Sequence, residues 1–337
     1  MSAQPTTGPD PGILLQALTA YQLPMALKGA FDLELFTHIA AGANTPAQLA
    51  PLCKATEKGV RVLCDYLTVK GFLTKQDGRY GLDPRTGIFL DKKSPAYLGS
   101  VANFLTHEII RDNFNDLAAV VRKGGAVFHS TLAPEDPVWV EFARSMAPMV
   151  AMPAQMMAAQ VTKPGEPAKV LDIAAGHGIY GISVAKFNPA ADVTAQDWAN
   201  VLEVAQENAT KMGVADRFHT IAGSAFDVDL GSGYDIVLLP NFLHHFDVET
   251  NVKLLKKVRA ALKPGGVVAT VEFVPNDDRV SPPIPAMFSM MMLGGTDAGD
   301  AYTFAEFDRM FKAAGFGASE LRALAPAPSS LIVTKYA

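Results

Sequence analysis

The stretch that decides the fold is Val170–Gly181, which reads VLDIAAGHGIYG. An apolar run is followed by the pattern GxGxxG, which begins at Gly176 and is typical of a strand that turns tightly into a helix. Glycines in such a turn let the main chain approach a bound ligand. Asp197 follows at the end of the next apolar run, where a carboxylate accepts hydrogen bonds from ribose hydroxyls. The stretch therefore predicts a nucleotide-like cofactor at the ends of two parallel strands.

Strand-like runs and helical segments alternate through and beyond this stretch. The strand-like runs are Lys169–Ala174, Asp192–Gln196, Phe218–Ala222, Asp235–Pro240 and Gly266–Val274. Because helical patterns separate them, they predict an α/β fold with a parallel, doubly wound sheet. After a helix over Phe304–Ala314, the runs Ser319–Ala325 and Leu331–Tyr336 are joined by a loop too short for a crossover helix. We expect these last two runs to pair antiparallel.

The N-terminal third has the helix, helix, hairpin order of a winged helix. Two helices are expected between Ile13 and Ala41, with a break near Pro24. Thr45 then opens a capping box, and a further helix starts at Thr56. A hairpin turns at Asp77-Gly78, between the strand-like runs Phe72–Lys75 and Arg79–Leu82. We expect a winged-helix domain over residues 1–95, a helical connector over 96–162 and a Rossmann-like domain over 163–337.

The composition narrows the class of protein. Hydrophobic residues make up 49% and charged residues 19% of the chain, which is ordinary for a globular protein. The net charge of −5 provides no positive field for binding nucleic acid. The two cysteines, Cys53 and Cys64, form no Cys/His cluster, so we expect no metal. Without a signal sequence or an apolar run of about 18 residues, we expect a cytoplasmic protein that does not bind membranes.

The GxGxxG pattern alone does not choose between NAD and S-adenosylmethionine (SAM), but its surroundings favour SAM. Asp172 precedes the glycines, and a carboxylate there repels a pyrophosphate but attracts the ammonium and sulfonium groups of SAM. The pattern lies in mid-chain, upstream of the expected antiparallel pair. Leu262–Gly266 reads LKPGG, a turn typical of class I methyltransferases. We therefore expect SAM as the cofactor.

The order of these motifs resembles a known family, the dimeric SAM-dependent O-methyltransferases of plant and bacterial natural-product pathways. The winged-helix start, the helical middle, VLDIAAGHG, QDW, LHHFDVET, LKPGG and VEFVP occur in that family's order over roughly residues 13–337. The resemblance implies a homodimer formed through the N-terminal domain, a connector that contributes to the substrate pocket, and a small aromatic acceptor.

The chain departs from the family pattern at several places. Ala174 and Ala175 stand where the family usually has glycines. Ser224 stands near the position of an aspartate close to the adenine, and Pro240-Asn241 replace a basic residue before the catalytic segment. We expect the cofactor to contact a set of residues at the strand ends: Asp172, Ala174, Gly176, Gly178, Asp197, Trp198, Ser224, Ala225, Phe226 and Asn241. Trp198 either flanks the adenine or is a packing residue.

The candidate general base is His244, in the segment Asn241–Asp247. The family has Leu-His-Asp-Trp at this place, with histidine as the base, so the resemblance assigns that role to His244 and puts His245 in place of the aspartate. An imidazole, with an ordinary pKa of about 6.5, can accept the proton of a phenol whose pKa is about 10 as the methyl group transfers. By the same resemblance, Glu272 and Asp297 flank and orient the histidine.

The acceptor pocket is expected to be apolar. The resemblance matches Phe142 and Met146 to an aromatic and methionine clamp, and Met287 and Met291 belong to a methionine-rich run before Asp297. Methionine is polarisable and adapts to a flat aromatic guest. Ordinary packing in a helix core is the alternative for most of these methionines.

Two other functions remain open from the sequence. One is a SAM-binding relative with different chemistry, such as C- or N-methylation or a reaction without methyl transfer, which the unusual His244-His245 pair allows. The other is a winged-helix regulator that senses SAM. Residues 1–100 carry ten Lys and Arg against eight Asp and Glu, too small an excess for binding phosphates, so the regulator is the less favoured reading.

Overall fold

The computed structural model of the chain describes residues 8–128 and 135–336. The chain divides into two compact units, Met1–Thr106 and His107–Ala337. Residues 129–134, inside the predicted connector, lie outside the described residues. The three-part division expected from the sequence stays a prediction. No helix in the described part of the chain is both long and apolar enough to cross a membrane.

The first unit is helical, with one small hairpin. Its elements are α1 (Pro11–Leu18), α2 (Gln22–Asp32), α3 (Leu35–Ala40), α4 (Pro46–Leu52), α5 (Glu57–Val69), β1 (Leu73–Gln76), β2 (Arg79–Leu82), α6 (Gly87–Leu90) and α7 (Val101–Leu105). The capping box at Thr45 is confirmed, since its hydroxyl accepts from the Gln48 N–H. Asp77 and Gly78 both take the left-handed φ that a two-residue hairpin turn needs, and β1 pairs antiparallel with β2.

The break expected near Pro24 lies elsewhere. Helix α1 ends at Leu18 and α2 begins at Gln22, so Pro24 falls within the first turn of α2. The first N–H groups of a helix have no partner inside the helix, so proline is tolerated there. A third helix, α3, occupies the remainder of the segment that was expected to hold two helices.

The second unit contains the sheet. Its elements are α8 (Glu108–Asn115), α9 (Leu117–Lys123), α10 (Pro137–Val161), β3 (Ala168–Ile173), α11 (Ile179–Phe187), β4 (Ala191–Asp197), α12 (Ala199–Lys211), β5 (Phe218–Ala222), β6 (Tyr234–Pro240), α13 (Val248–Ala261), β7 (Leu262–Glu272), α14 (Pro283–Gly295), α15 (Phe304–Ala313), β8 (Ser319–Ala323) and β9 (Ser330–Lys335). A 3-10 turn, Leu243–His245, lies between β6 and α13. The helix and strand types expected from the sequence are confirmed.

The seven strands of this sheet run in the order β5-β4-β3-β6-β7-β9-β8. Strands β3 to β7 are parallel, whereas β9 pairs antiparallel with both β7 and β8, as expected. Strand β7 begins earlier than expected, at Leu262, because LKPGG forms an irregularity at the start of the strand. The chain order reverses between β3 and β6, so a ligand crevice is expected at their carboxyl ends.

Successive residues of the central strands pack into cores on opposite faces of the sheet. Val170 belongs to a cluster with residues of α10, α11 and α12, whereas Leu171 belongs to a cluster with residues of α13 and α15. Both side chains are fully buried. A strand buried on both faces holds its register firmly, so its carboxyl end is a rigid support for a site.

Gly178 joins β3 to α11 at a crowded point. Its φ is +73°, and a Cβ added there would lie 3.0 Å from Cβ of Ala205 and 3.2 Å from the Phe218 ring. A left-handed φ costs an alanine about 1–2 kcal/mol, and overpacking costs about 1–3 kcal/mol more. Glycine therefore serves both the turn and the packing of α12 against it.

We expect Gly178→Ala to lower the free energy of unfolding by about 2–5 kcal/mol, measured by urea denaturation. Gly213→Ala is the matched control, because Gly213 has a φ of +72° but its added Cβ meets nothing within 4 Å. It should lose only the backbone part, about 1–2 kcal/mol. Equal losses in the two variants would contradict the packing explanation.

Candidate active site

The glycine-rich turn is tied to the end of the neighbouring strand. The N–H of Gly176 donates to Oδ2 of Asp197 at 2.7 Å, and the N–H of Trp198 donates to Oδ1 at 2.7 Å. A carboxylate has about four lone-pair positions, so further acceptor capacity remains for ribose hydroxyls. Burial raises the pKa of Asp197 to about 6, against the lowering effect of these two N–H donors. Ala174 adopts a left-handed φ of +52° in the place where the family has glycine.

Asp172 is fully buried beneath the turn. Its Oδ2 accepts from the Gly181 N–H at 2.9 Å, whereas its Oδ1 is buried without a hydrogen-bond partner among the described residues. Burial raises the pKa of Asp172 to about 7, with a smaller contribution from Asp197. The carboxylate thus orients α11 and also keeps one oxygen available.

A second unpartnered oxygen lies at the end of β6. Asn241 has a φ of +51°, and its Nδ2 donates to the Tyr180 hydroxyl at 3.4 Å. Its Oδ1 is buried and, within the described chain, makes no hydrogen bond. Strand β3 pairs with β6, so the oxygens of Asp172 and Asn241 follow adjacent strands. Two buried acceptors without donors fit a ligand that brings its own N–H donors, such as the ammonium of SAM.

The other expected cofactor residues differ in what their side chains do. Ser224 accepts from the Phe226 N–H at 3.2 Å, in the turn that follows β5. Ala225 is buried in the core, so only its main chain can reach a ligand, and the ring of Phe226 packs edge-on against Phe246 at 5.1 Å. Trp198 packs against a small apolar cluster of α10 and α12, which favours its reading as a packing residue.

His244 and Glu272 form a buried pair at the ends of β6 and β7. Nδ1 of His244 lies 2.6 Å from Oε2 of Glu272, and the His244 N–H donates to Oε1 at 3.3 Å. The carboxylate therefore holds both the ring and the main chain of the histidine. In the described chain Nε2 of His244 makes no hydrogen bond, so this nitrogen is available to a ligand.

His245 lies beside this pair. Its ring centre is 4.4 Å from that of His244, and its ring stands edge-on to Trp139 at 5.4 Å. Burial, and then the neighbouring His244, hold the pKa of His245 well below its ordinary value, so this imidazole is neutral at pH 7. A neutral neighbour does not oppose the charging of His244 during proton transfer.

Asp297 is not brought to His244, which corrects the expectation from the sequence. Its carboxylate is 59% exposed and lies 3.6 Å from Nζ of Lys123. The loop that carries Asp297 does meet the histidine, but through its main chain, since the Asp300 N–H donates to the His244 carbonyl at 3.0 Å. Spacing along the chain placed the loop correctly, but it does not determine which way a loop side chain points.

Phe142 lies next to the glycine-rich turn. Its ring stacks on His177 at 6.0 Å, and a Cβ added to Gly176 would lie 3.5 Å from it. Met146 follows one helical turn later on α10 and is partly buried. Burial lowers the pKa of His177 to about 4, so this histidine is a neutral packing residue.

The sequence did not single out Phe288, the aromatic residue that faces His244. Phe288 stands edge-on to His244 at 4.9 Å and stacks on Phe273 at 4.3 Å. Met287, the expected pocket residue, is 65% exposed, whereas Met291 is partly buried. Neighbouring helix positions differ by about 100° in direction, so a shift of one residue moves a side chain to another face. The apolar spacing Pro285, Phe288, Met292 was the available signal, and the structure buries Pro285 and Met292.

The raised pKa of Asp172 has a consequence for stability without ligand. An unfolded aspartate has a pKa of about 3.9, so between that pH and about 7 the folded protein retains a proton that the unfolded chain loses. The free energy of unfolding should therefore fall as the pH rises through this range. Asp172→Asn should weaken this dependence, measured by urea denaturation at several pH values.

Asp216→Asn is the matched control, because the Asp216 side chain is 76% exposed. This variant should follow the pH dependence of the wild type. An Asp172→Asn variant whose pH dependence equals that of the wild type would contradict the assignment.

Two family models match the chain. The O-methyltransferase domain matches residues 109–317, and the O-methyltransferase dimerisation domain matches residues 15–92. The first covers strands β3 to β7 of the sheet, the glycine-rich turn and the His244–Glu272 pair.

Individual proteins agree with this match. A 3-hydroxy-5-methyl-1-naphthoate 3-O-methyltransferase from Streptomyces sahachiroi is 28% identical over 327 residues, which are 95% of this chain and 93% of the relative. The crystal structure of a candidate O-methyltransferase from Nostoc punctiforme superimposes with a TM-score of 0.94 at 50% identity, covering 98% of this chain and 100% of that one.

A more distant structure shares the fold. Human N-acetylserotonin methyltransferase in complex with SAM gives a TM-score of 0.85 at 19% identity, covering 98% of this chain and 99% of that chain. Together with the family match, it agrees with the cofactor expected from the turn. The chain belongs to the O-methyltransferase family, with an N-terminal dimerisation domain and SAM as its methyl donor.

Proposed function

We propose that the enzyme methylates a hydroxyl on a small aromatic or polyketide-like molecule, with His244 as the general base. The observation that carries this proposal is the 2.6 Å contact between Nδ1 of His244 and Glu272, which leaves Nε2 available. The pair follows β6 and β7, beside the strand ends that carry the expected cofactor residues. Neither alternative from the sequence, different chemistry on SAM or a DNA-binding regulator, is favoured by the family match.

The residues have distinct roles in this reaction. Bound SAM would supply an electrophilic methyl group, whose bond to sulfur breaks as S-adenosylhomocysteine leaves. Asp172 and Asn241 offer acceptor oxygens to the ammonium of SAM, and Asp197 offers one to its ribose hydroxyls. Nε2 of His244 takes the hydroxyl proton as the acceptor oxygen gains the methyl group. Glu272 keeps the proton of the neutral ring on Nδ1 and stabilises the imidazolium that forms.

The rings around the histidine support a flat acceptor. Phe288 and Phe273 are stacked next to His244, and Trp139 meets the ring of His245 edge-on. Aromatic side chains offer a large apolar surface and prefer stacked or edge-on partners, which suits a fused-ring phenol. The relative from Streptomyces sahachiroi, named for its action on a hydroxynaphthoate, is consistent with an acceptor of this kind.

The test is methyl transfer from SAM to a panel of phenols and naphthols. His244→Gln and Glu272→Gln should each lower kcat by about 10²–10⁴-fold, because the base or its orienting carboxylate is lost. SAM affinity, measured by isothermal titration, should stay within about threefold of the wild-type value, because neither side chain belongs to the cofactor residues.

The matched control is His219→Gln, because His219 pairs with Asp192 on the exposed side of β4 and β5. It should keep wild-type activity. Undiminished transfer in His244→Gln would show that this histidine is not the base, and a wild type that methylates carbon or nitrogen alone would overturn the hydroxyl assignment.

We further propose a cytoplasmic homodimer formed through a winged-helix N-terminal domain. Within that unit, α1 has no buried residue, and its apolar side chains Ile13, Leu14, Leu15 and Leu18 are each more than 60% exposed. Isolated short helices are unstable in water, so an apolar helix without packing partners calls for another surface to cover it. The match to a dimerisation domain over residues 15–92 supports a second copy as that surface. Two buried free cysteines agree with a reducing compartment.

Replacing Leu14, Leu15 and Leu18 together by aspartate should convert the dimer into a monomer, as measured by light scattering after size-exclusion chromatography. Three charges cannot be buried in an apolar interface without a large desolvation cost. Val248→Glu, at a half-exposed position on α13, is the control and should leave the mass unchanged. A wild-type protein that is monomeric at micromolar concentration would remove the dimer proposal.

A further inference from the structure

The loop between α14 and α15 holds the main chain of the candidate base. The N–H of Asp300 donates to the His244 carbonyl at 3.0 Å, and the Tyr302 hydroxyl donates to the Phe246 carbonyl at 2.6 Å. These two hydrogen bonds hold the main chain of the 3-10 turn at His244 and Phe246, on either side of His245. The turn is thus held by Glu272 through its histidine ring and by this loop through its carbonyl groups.

Gly299 allows the loop to approach the 3-10 turn closely enough to form these hydrogen bonds. A Cβ added there would overlap the carbonyl oxygen of His244 and lie 2.9 Å from the carbonyl carbon of His245. The φ of Gly299 is not in the left-handed region, so the need for glycine comes from the close approach of two main chains. Any side chain at this position would push the loop and the histidine turn apart.

Two further contacts hold the loop in place. At one end, the Thr296 hydroxyl accepts from the Gly299 N–H at 2.8 Å and donates to the Met292 carbonyl at 2.7 Å. At the other end, Nη1 of Arg279 donates to the Asp300 carboxylate at 3.1 Å, and Nη2 donates to both carboxylate oxygens of Glu306 at 2.6 and 2.7 Å. Arg279 lies in the segment that follows Glu272. Its ion pairs therefore connect this segment to the loop between α14 and α15, and Glu272 and that loop both contact His244.

We infer that Gly299 and Arg279 are positioning residues that set where Nε2 of His244 meets the acceptor hydroxyl. The inference rests on the proposed role of His244 as general base. A misplacement of about 1 Å can cost about 10²-fold in rate, because proton transfer needs the donor and acceptor within hydrogen-bond reach. Neither residue belongs to the cofactor set or touches the acceptor in this account.

The discriminating measurement uses two acceptors of different acidity. A naphthol is protonated at pH 7 and needs the base, whereas a nitro-substituted naphthol is largely ionised and does not. Gly299→Ala should lower kcat for the naphthol by about 10–10²-fold and leave the nitronaphthol within about threefold of wild type. A purely structural defect would lower both rates equally, and SAM affinity should be unchanged.

Two variants serve as controls and as an independent test. Gly295→Ala carries the same substitution four residues away, where the added Cβ meets nothing within 4 Å, and should keep the wild-type rate. Arg279→Ala, at an exposed ion pair that should leave folding intact, is expected to lower the naphthol rate about three- to tenfold, with partial recovery in Arg279→Lys. The naphthol rates of the two Arg279 variants, relative to wild type, test the inference even if Gly299→Ala does not fold.

The outcomes separate the inference from the proposed function. Wild-type naphthol rates in both Gly299→Ala and Arg279→Ala, or equal losses on the two acceptors, would overturn the positioning role while His244→Gln remains inactive. A His244→Gln variant as active as the wild type would instead overturn the proposed base, and the positioning role with it.

Discussion

The site depends above all on the hydrogen-bonded pair of His244 and Glu272. A carboxylate that is only 1% exposed is stable only if its oxygens have donors, and here one oxygen takes the ring Nδ1 contact and the other takes the main-chain N–H of the same residue. A single side chain therefore fixes the rotation, the tautomer and the backbone position of the histidine. Among the described residues, Nε2 of this histidine has no hydrogen-bond partner.

The sheet makes this pair possible. Pro240 pairs with Val271, and the Asn241 N–H extends the ladder by donating to the Val271 carbonyl at 2.7 Å. The chain then turns back in a 3-10 turn, which lays His244 over Glu272 at the end of β7. The same edge of the sheet carries Asp172 on β3 and Asp197 on β4, so the candidate cofactor residues and the proposed base are supported by adjacent, buried strands.

Much of this arrangement could be predicted from the sequence, for identifiable reasons. Apolar runs with helical segments between them predicted the parallel strands, and the carboxyl ends of such strands meet at one edge, which placed His244 at the expected site. The family resemblance, rather than the strand pattern, put Glu272 beside it. Side-chain direction could not be read in the same way. Met287 and Phe288 are neighbours on α14, yet Phe288 faces His244 and Met287 is exposed, because burial of the helix is decided by elements distant in the sequence. Asp297 illustrates the same limit in a loop, where the main chain of Asp300 rather than a carboxylate meets the histidine.

The most direct test of this account is the position of the proton on the imidazole of His244. A long-range proton–nitrogen NMR spectrum distinguishes the two tautomers of a neutral histidine, and comparison with a His244→Asn variant assigns the signal. The account predicts a protonated Nδ1, donating to Glu272, and an unprotonated Nε2 in the neutral ring. A proton on Nε2 and none on Nδ1 would contradict it, because the nitrogen assigned as the base would have no lone pair to accept the proton of a hydroxyl.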